Sequence, residues 1–185
     1  YTITNYLAGE IRTPKLPTDS PAFEESEKSV KEKIEKLLSI KGRHTAASFH
    51  KRLGKIMWDY CGMVRNESGL TKALEMIREL RKEFWTDLRV PGSGNELNQE
   101  LEKAGRVADF LDLGELMITD ALNRKESCGA HFREESQTED GEAKRIDAEY
   151  AYVAAWEYKG EGAPPELHRE ELKFEFVELK ERSYK

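Results

Sequence analysis

Hydrophobic residues recur at intervals of three and four over four segments of the chain, which predicts four amphipathic helices. Their apolar positions are Phe23, Val30, Ile34, Leu37 and Leu38; then Phe49, Leu53, Ile56, Met57 and Tyr60; then Leu70, Leu74, Ile77, Leu80, Phe84 and Leu88; and last Val107, Leu111, Ile118 and Leu122. Residues 1–19 carry Pro14 and Pro17 and no sustained period, so we expect an irregular lead-in there.

The predicted helices begin at residues that suit helix starts. These are Ser20 before Pro21, then Thr45, Asn66 and Asn98. Gly42 is a predicted stop for the first helix. Residues 91–94, Pro-Gly-Ser-Gly, end the third helix, and the fourth runs from Leu97-Asn98 to about Lys125.

The fourth helix carries a second apolar stripe, formed by Phe110, Leu113, Met117 and Ala121. An ordinary surface helix has a single stripe, about 100° wide. Leaving a large apolar side chain in water forgoes about 1.5–3 kcal/mol relative to burying it. The helix is therefore either central in the bundle, or one of its sides docks on something outside these residues.

Alternation with a period of two replaces the helical period towards the end of the chain. Residues 150–158 place the rings of Tyr150, Tyr152, Trp156 and Tyr158 on one face, and residues 172–176 alternate as a second strand. Gly- and Pro-containing residues 160–171 are predicted to be the loop between them, and the polar residues 135–147 a surface loop. The fold expected is mainly α: a bundle of three to four helices with an extended C-terminal tail that forms a small antiparallel β-hairpin.

Charge divides the chain at the same point as the hydrophobic period. Residues 1–126 carry 21 basic and 21 acidic side chains, and residues 127–185 carry 9 and 15. We therefore expect a helical bundle over 1–126 and an acidic seam with the hairpin tail over 127–185, together forming one domain. The net charge of −6 argues against a nucleic-acid partner.

Two features of the composition bear on the compartment. The longest apolar run, residues 150–156, has seven residues, against about 20 for a membrane-spanning helix. We expect no direct membrane insertion. Cys61 and Cys128 do not form a disulfide or metal-ligand pattern, and we interpret them as reduced thiols of a cytosolic compartment.

Local motifs for catalysis, cofactor binding or metal binding are weak. Residues 92–94 lack the third glycine of a dinucleotide loop, and residues 69–72 lack the spacing of a phosphate loop, so both are predicted to be helix connections or starts. His44 and His50 are six residues apart and cannot share a metal as an i, i+4 pair does. His168 is predicted to be solvated. We assign no catalytic, cofactor or metal residue.

One segment, residues 126–135, concentrates reactive groups and is called the seam below. It contains Cys128, Gly129, His131, Arg133 and Glu134, and Gly129 implies either a close backbone approach or a positive φ. Three hypotheses fit it: a strand with His131 and Arg133 on one face and Ala130 and Phe132 inward, a redox or acid–base site, or an interface to another domain or subunit.

The chain resembles a known family at four places: residues 57–70 (MWDYCGMVRNESGL), 126–135 (ESCGAHFREE), 153–158 (VAAWEY) and 182–185 (RSYK). This order is similar to the C-terminal region of the succinate dehydrogenase/fumarate reductase flavoprotein subunit, a family that includes L-aspartate oxidase. The resemblance implies a piece of a longer polypeptide that interconverts succinate and fumarate with FAD. The flavin-binding and capping domains lie upstream, so the piece alone is expected to be inactive.

The resemblance also implies partners. These are the upstream flavin-binding and capping domains, an iron–sulfur subunit and a cytochrome b membrane anchor, in a complex on the cytoplasmic side of the inner membrane. The interface candidates are Cys128, Gly129, His131, Arg133, Glu134, Phe110, Leu113 and Met117. Many family members have arginine where this chain has Cys128, so Arg124 or Arg133 is a candidate to replace that charge.

The residues by themselves also allow a free-standing helical protein-interaction module without catalytic activity or flavoprotein relatives. The two hypotheses predict different exposure of the second apolar stripe in the isolated chain. A docking domain leaves Phe110, Leu113 and Met117 uncovered in the isolated chain, whereas full burial of the three side chains would exclude docking there.

Overall fold

The computed structural model describes residues 2–9, 17–160 and 162–180, with the backbone alone at residues 5 and 7–9. Six helices and four short strands follow one another in this part of the chain: α1 Thr2–Gly9, α2 Pro21–Ser39, α3 Ala46–Cys61, β1 Val64–Arg65, α4 Glu67–Asp87, α5 Gln99–Asn123, β2 Phe132–Arg133, α6 Asp147–Tyr150, β3 Tyr152–Glu157 and β4 Glu166–Glu171. The mainly α class with an antiparallel hairpin is confirmed.

The core lies between α3, α4 and α5, with the C-terminal half of α2 against it. Its largest fully buried apolar side chains come from the predicted stripes and are Phe49, Leu70, Ile77, Phe84, Leu88, Leu111 and Ile118. Burying each one stabilises the fold by about 1.5–3 kcal/mol. The helical period therefore identified the core-facing positions of these three helices.

Side-chain caps start three of the four long helices. Oγ1 of Thr45 accepts from the amide of Ser48 at 3.3 Å, and Oδ1 of Asn66 accepts from the amide of Gly69 at 2.7 Å. Oδ1 of Asn98 accepts from the amide of Leu101 at 3.0 Å. Each bond satisfies an amide that has no partner inside its helix. Ser20 precedes α2 without a side-chain cap bond.

The first 42 residues differ from the sequence prediction at three points. Thr2–Gly9 forms a helix, so the irregular lead-in is wrong there, while residues 10–16 lie outside the described residues. Phe23 and Val30 are 50% and 58% exposed because the N-terminal half of α2 extends beyond the core. Gly42 lies past the end of α2, where a Cβ would stand 1.9 Å from the carbonyl carbon of Asp87.

Residues 127–157 contact both β1 and the helices of the bundle. β2 pairs in parallel with β1, with Val64 opposite Phe132 and Arg65 opposite Arg133. The hairpin β3–β4 lies against the end of α5, where Nε1 of Trp156 donates to Asp120 at 2.8 Å.

The second strand of the hairpin is not the one predicted. Residues 166–171 form β4 inside the predicted loop, and residues 172–176 form no strand. The register places the mostly charged residues of β4 opposite the mostly apolar residues of β3. Nε2 of His168 lies 2.7 Å from Glu157, its diagonal neighbour on β3. Lys159 lies 2.8 Å from Glu166. Because β4 consists largely of charged residues and is largely exposed, apolar alternation did not mark the second strand of the hairpin.

No helix in the described ranges 2–9, 17–160 and 162–180 is both long and apolar enough to cross a bilayer.

Candidate functional site

The seam begins with a tight turn that projects from the end of α5. The amide of Cys128 donates to the carbonyl of His131 at 2.8 Å, and the amide of His131 donates back at 3.1 Å. Gly129 has a φ of +60°, in the left-handed region that favours glycine. Nothing lies within 4 Å of a Cβ built on Gly129. The positive φ therefore explains why this position is glycine, and close packing does not. Residues 128–130 are exposed at the tip of this turn.

Arg133 is the most deeply buried charged side chain of the described part of the chain, at 2% exposure. Its Nη1 donates to the carbonyl of Ala121 at 2.8 Å and its Nε donates to Glu135 at 3.1 Å. Carbonyls in the last turn of a helix have no partner within it, and Arg133 satisfies one of them. Its charge is thus used inside the chain. Replacement of the family arginine by Arg133 stays a prediction.

The strand hypothesis for the seam is correct in part. Phe132 and Arg133 form β2, but Arg133 points inward while Ala130 is exposed at the turn. Sequence alternation assigned the faces wrongly because it takes no account of the free carbonyl at the end of α5. Ser127, fully buried, fixes this arrangement: its hydroxyl accepts from the Arg133 amide at 2.8 Å.

Arg124 and Glu126 tie the tail to the end of α5. Glu126 is 3% exposed; its Oε1 accepts from Arg124 at 2.6 Å and its Oε2 accepts from the amide of Ile146 at 2.8 Å. Arg124 also donates to the carbonyls of Tyr150 and Tyr152, each at 3.1 Å. A buried charge is tolerated only when it is paired and hydrogen-bonded, and both charges meet that condition here. Arg124, like Arg133, is engaged within the chain.

The two acidic residues that close the seam lie at the start of α4. Glu134 accepts from Nδ2 of Asn66 at 2.5 Å, and Oε1 of Glu135 accepts from the amide of Glu67 at 2.6 Å. A helix N-terminus favours negative charge because its free amides point outward. Burial by itself raises the pKa of Glu135, but the amides of Glu67 and Glu135 and the guanidinium of Arg133 lower it below the ordinary value overall.

Sequence reasoning did not single out Arg65 or Glu135. Arg65 lies 66 residues from His131 along the chain, yet its Nη1 lies 2.9 Å from Nδ1 of the imidazole. Only the parallel pairing of β1 with β2 brings them together. The sequence offered one indication of this contact: Arg65 and His131 belong to segments that carry the family resemblance, residues 57–70 and 126–135.

The second apolar stripe of α5 is largely uncovered. Phe110, Leu113 and Met117, the α5 strip, are 40%, 52% and 46% exposed, whereas Ala121 is 2% exposed. The helix also packs against α2, α3 and α4. It is therefore central in the bundle and still presents an apolar face. The docking of that face on something outside these residues stays a prediction.

The histidines outside the seam lie near carboxylates or rings. The ligand atoms of His44, Glu83 and Asp87 lie within 4.8 Å of one another, close enough to hold a metal ion. The same is true of His168, Glu157 and Glu166. The carboxylates already have cationic partners: Arg52 binds Glu83, Arg43 binds Asp87 and Lys159 binds both Glu157 and Glu166. His50 packs its ring 5.6 Å from that of Phe110.

The fold and this seam define a small helical-bundle domain whose charged groups are used to hold its own tail. Residues 50–184 match the family described as "Fumarate reductase flavoprotein C-term". The chain belongs to that family, which excludes the alternative of a module without flavoprotein relatives.

Individual relatives agree with the family. An uncharacterised FAD-dependent oxidoreductase of Methanocaldococcus jannaschii is 34% identical over 60% of this chain and 20% of its own length. The fumarate reductase flavoprotein subunit of Proteus vulgaris is 27% identical over 85% of this chain and 26% of its own. A solved Escherichia coli quinol fumarate reductase chain shares the fold with a TM-score of 0.77 at 20% identity, over 97% of this chain and 29% of its own. This chain thus spans about a fifth to a quarter of the curated relatives it matches.

Proposed function

We propose that this chain is the C-terminal domain of a flavoprotein subunit that interconverts succinate and fumarate, and that it supplies packing and subunit contacts rather than chemistry. Residues 1–126 and 127–185 act together as this one domain. The observation that carries the proposal is the seam, in which Glu126, Ser127 and Arg133 are buried and bonded to groups of the chain itself.

In this proposal FAD belongs to the upstream flavin-binding part of the parent polypeptide, where it accepts or donates the hydride of the succinate–fumarate couple. The role of this chain is positional. The tip at residues 128–130 and the α5 strip contact the upstream domains and the iron–sulfur subunit. A cytochrome b anchor completes the complex, and the domain lies peripherally on the cytoplasmic side of the membrane.

The first experiment compares this 185-residue chain with its parent polypeptide. The measurements are flavin content from the visible absorption spectrum and succinate-dependent reduction of a dye. The expected result is a yellow, active parent and a colourless, inert chain. Bound flavin or turnover in the chain alone would contradict the proposal and direct attention to residues 128–135.

The α5 strip gives a sharper test, because Leu113 is exposed in the chain and covered in the proposed parent. Leu113→Glu in the parent is expected to lower succinate-dependent dye reduction about tenfold or more, since an unpaired charge in an apolar contact costs more than the 1.4 kcal/mol that a factor of ten represents. In the isolated chain the same change is expected to alter the unfolding free energy by no more than about 0.5 kcal/mol.

Leu97→Glu is the matched control, because Leu97 is 95% exposed and lies outside the strip. It is expected to leave both measurements unchanged. Equal effects of the two substitutions in the parent would contradict docking through the strip.

A further inference from the structure

The ring of His131 is bonded at both nitrogens, and the partners fix its protonation state. Nη1 of Arg65 lies 2.9 Å from Nδ1, and Nε2 lies 2.8 Å from the carbonyl oxygen of Arg124. A guanidinium only donates and a carbonyl only accepts. Nδ1 therefore accepts and Nε2–H donates, so the imidazole is neutral and holds its proton on Nε2.

His131 thereby links three parts of the fold that are distant in sequence. Arg65 lies on β1 directly before α4, Arg124 follows the last residue of α5, and His131 closes the turn that begins at Cys128. Arg65 is further fixed because its Nε donates to the carbonyl of Gly62 at 2.7 Å. The imidazole is the side-chain connection between β1, the end of α5 and the exposed tip.

Guanidinium groups surround this imidazole. Arg65 on β1, Arg133 on β2 and Arg124 after α5 all act on it. Burial lowers the pKa of His131 below its ordinary value; the bond to the Arg124 carbonyl opposes this shift and the three positive charges add to it. The ring is thus held neutral by its surroundings as well as by its hydrogen bonds.

The nearby carboxylates are occupied by the same arginines. Glu126 binds Arg124 at 2.6 Å, and Glu135 binds Arg133 at 3.1 Å while it also accepts from the amide of Glu67. Glu134, next in the seam, binds Asn66. Each of these acids is bound to another group, and the charges that act on the ring are those of Arg65, Arg133 and Arg124.

We propose that His131 is a pH-sensitive latch: protonation of its Nδ1 breaks the bond to Arg65, loosens the pairing of β1 with β2 and frees the tip at residues 128–130. The proton occupies the lone pair that accepts from Arg65, and Arg65 keeps its own proton. Two N–H donors then face each other beside three positive charges. No covalent bond changes, and the step reverses when the pH rises. The proposal stands whether or not the chain acts in a flavoprotein complex.

Hydrogen exchange of two backbone amides reports the state of the latch. The amide of Phe132 donates to the carbonyl of Met63 at 3.3 Å, and the amide of Glu134 donates to the carbonyl of Arg65 at 2.8 Å. Their protection, corrected for intrinsic exchange, is expected to fall by up to about tenfold per pH unit below the ordinary histidine pKa of about 6.5. Protection of the core amide of Ile77 is the internal reference and is expected to change much less.

His131→Asn is the informative variant, because the asparagine Oδ1 can accept from Arg65 and does not titrate. Protection of the Phe132 and Glu134 amides is expected to become independent of pH between about 5 and about 7. His168→Asn is the matched control, since His168 lies on the exposed hairpin and pairs with Glu157. This control is expected to keep the full pH response. An equal response in His131→Asn and the unchanged chain would overturn the proposal.

Imidazole ¹⁵N chemical shifts of the unchanged chain provide a measurement that needs no variant. We expect His131 to be protonated on Nε2 alone at neutral pH and to titrate below the ordinary histidine value. Protonation of Nδ1 at neutral pH, or titration at or above the ordinary value, would contradict the latch.

Discussion

At the scale of single residues, contacts of the backbone decide where this chain requires glycine. Gly42 lies beside the end of α4: its amide donates to the carbonyl of Leu88 at 2.9 Å, and a Cβ would lie 1.9 Å from the backbone of Asp87. Gly54 lies within α3, and a Cβ there would meet nothing within 4 Å. The backbone requires glycine at position 42 and does not require it at position 54.

Alanine substitution separates the two glycines. Gly42→Ala is expected to lower the free energy of unfolding by about 1–3 kcal/mol, because the methyl group forces backbone apart. Gly54→Ala is expected to raise it by about 0.5–1 kcal/mol, since alanine is the better helix former. Urea unfolding of both variants checks this. A Gly42→Ala variant of unchanged stability would mean that the α2–α3 connection does not approach the end of α4 as described.

At the scale of an element, the start of α4 is where the seam and the bundle are joined. Asn66 caps the helix through Oδ1 and holds Glu134 through Nδ2, while Glu135 accepts from the amide of Glu67. The seam thus supplies negative charge at the positive end of a 21-residue helix that contributes to the core.

Removing the side chain that caps α4 is expected to lower the free energy of unfolding more than removing that of Ser20, which makes no cap bond. Asn66→Ala should lower the unfolding free energy by about 1–2 kcal/mol, because the Gly69 amide loses its acceptor. Ser20→Ala, at the start of α2 where no side-chain cap bond forms, should change it by less than about 0.5 kcal/mol. The comparison uses the midpoints of urea unfolding for variants whose unfolding free energy depends equally on urea concentration. Equal losses of unfolding free energy in the two variants would contradict the cap assigned to Asn66.

At the scale of the whole molecule, arginine–carboxylate pairs join the helices at the surface. The guanidinium of Arg52 lowers the pKa of Glu83 and that of Arg43 lowers the pKa of Asp87. The pairs connect α3 and the α2–α3 connection to α4. A carboxyl whose pKa is lower in the folded chain stabilises the fold at pH values above its unfolded pKa.

The unfolding free energy is therefore expected to fall with acid in two windows. His131 contributes from its unfolded pKa of about 6.5 downwards, because the unfolded chain takes up the proton more readily. Glu83, Asp87 and Glu135 contribute below about pH 4, as they become protonated. Urea unfolding across this pH range checks both, with His131→Asn removing the upper window alone. Salt at about 1 M is expected to shrink the lower window by screening the exposed pairs.

Local pattern was sufficient for the four long helices α2 to α5 and insufficient for α1 and for the tail. The stripes of α3 and α4 were identified because a helix repeats its buried face every three to four residues. The residues of β4 carry almost no apolar pattern, since both faces of that strand are largely exposed and most of its side chains are charged. The direction of Arg133 depended on the Ala121 carbonyl, which no alternation in the seam encodes.

The sequence by itself determined the mainly α class, three side-chain caps and, through four short segments, the family. These properties depend on neighbours within a few residues or on a string of letters. The tertiary structure alone decided that Arg65 meets His131, that Glu135 stands at the start of α4 and that the α5 strip is uncovered. Each of these depends on which elements pack together, because residues far apart in the chain become partners only when a common core places them there.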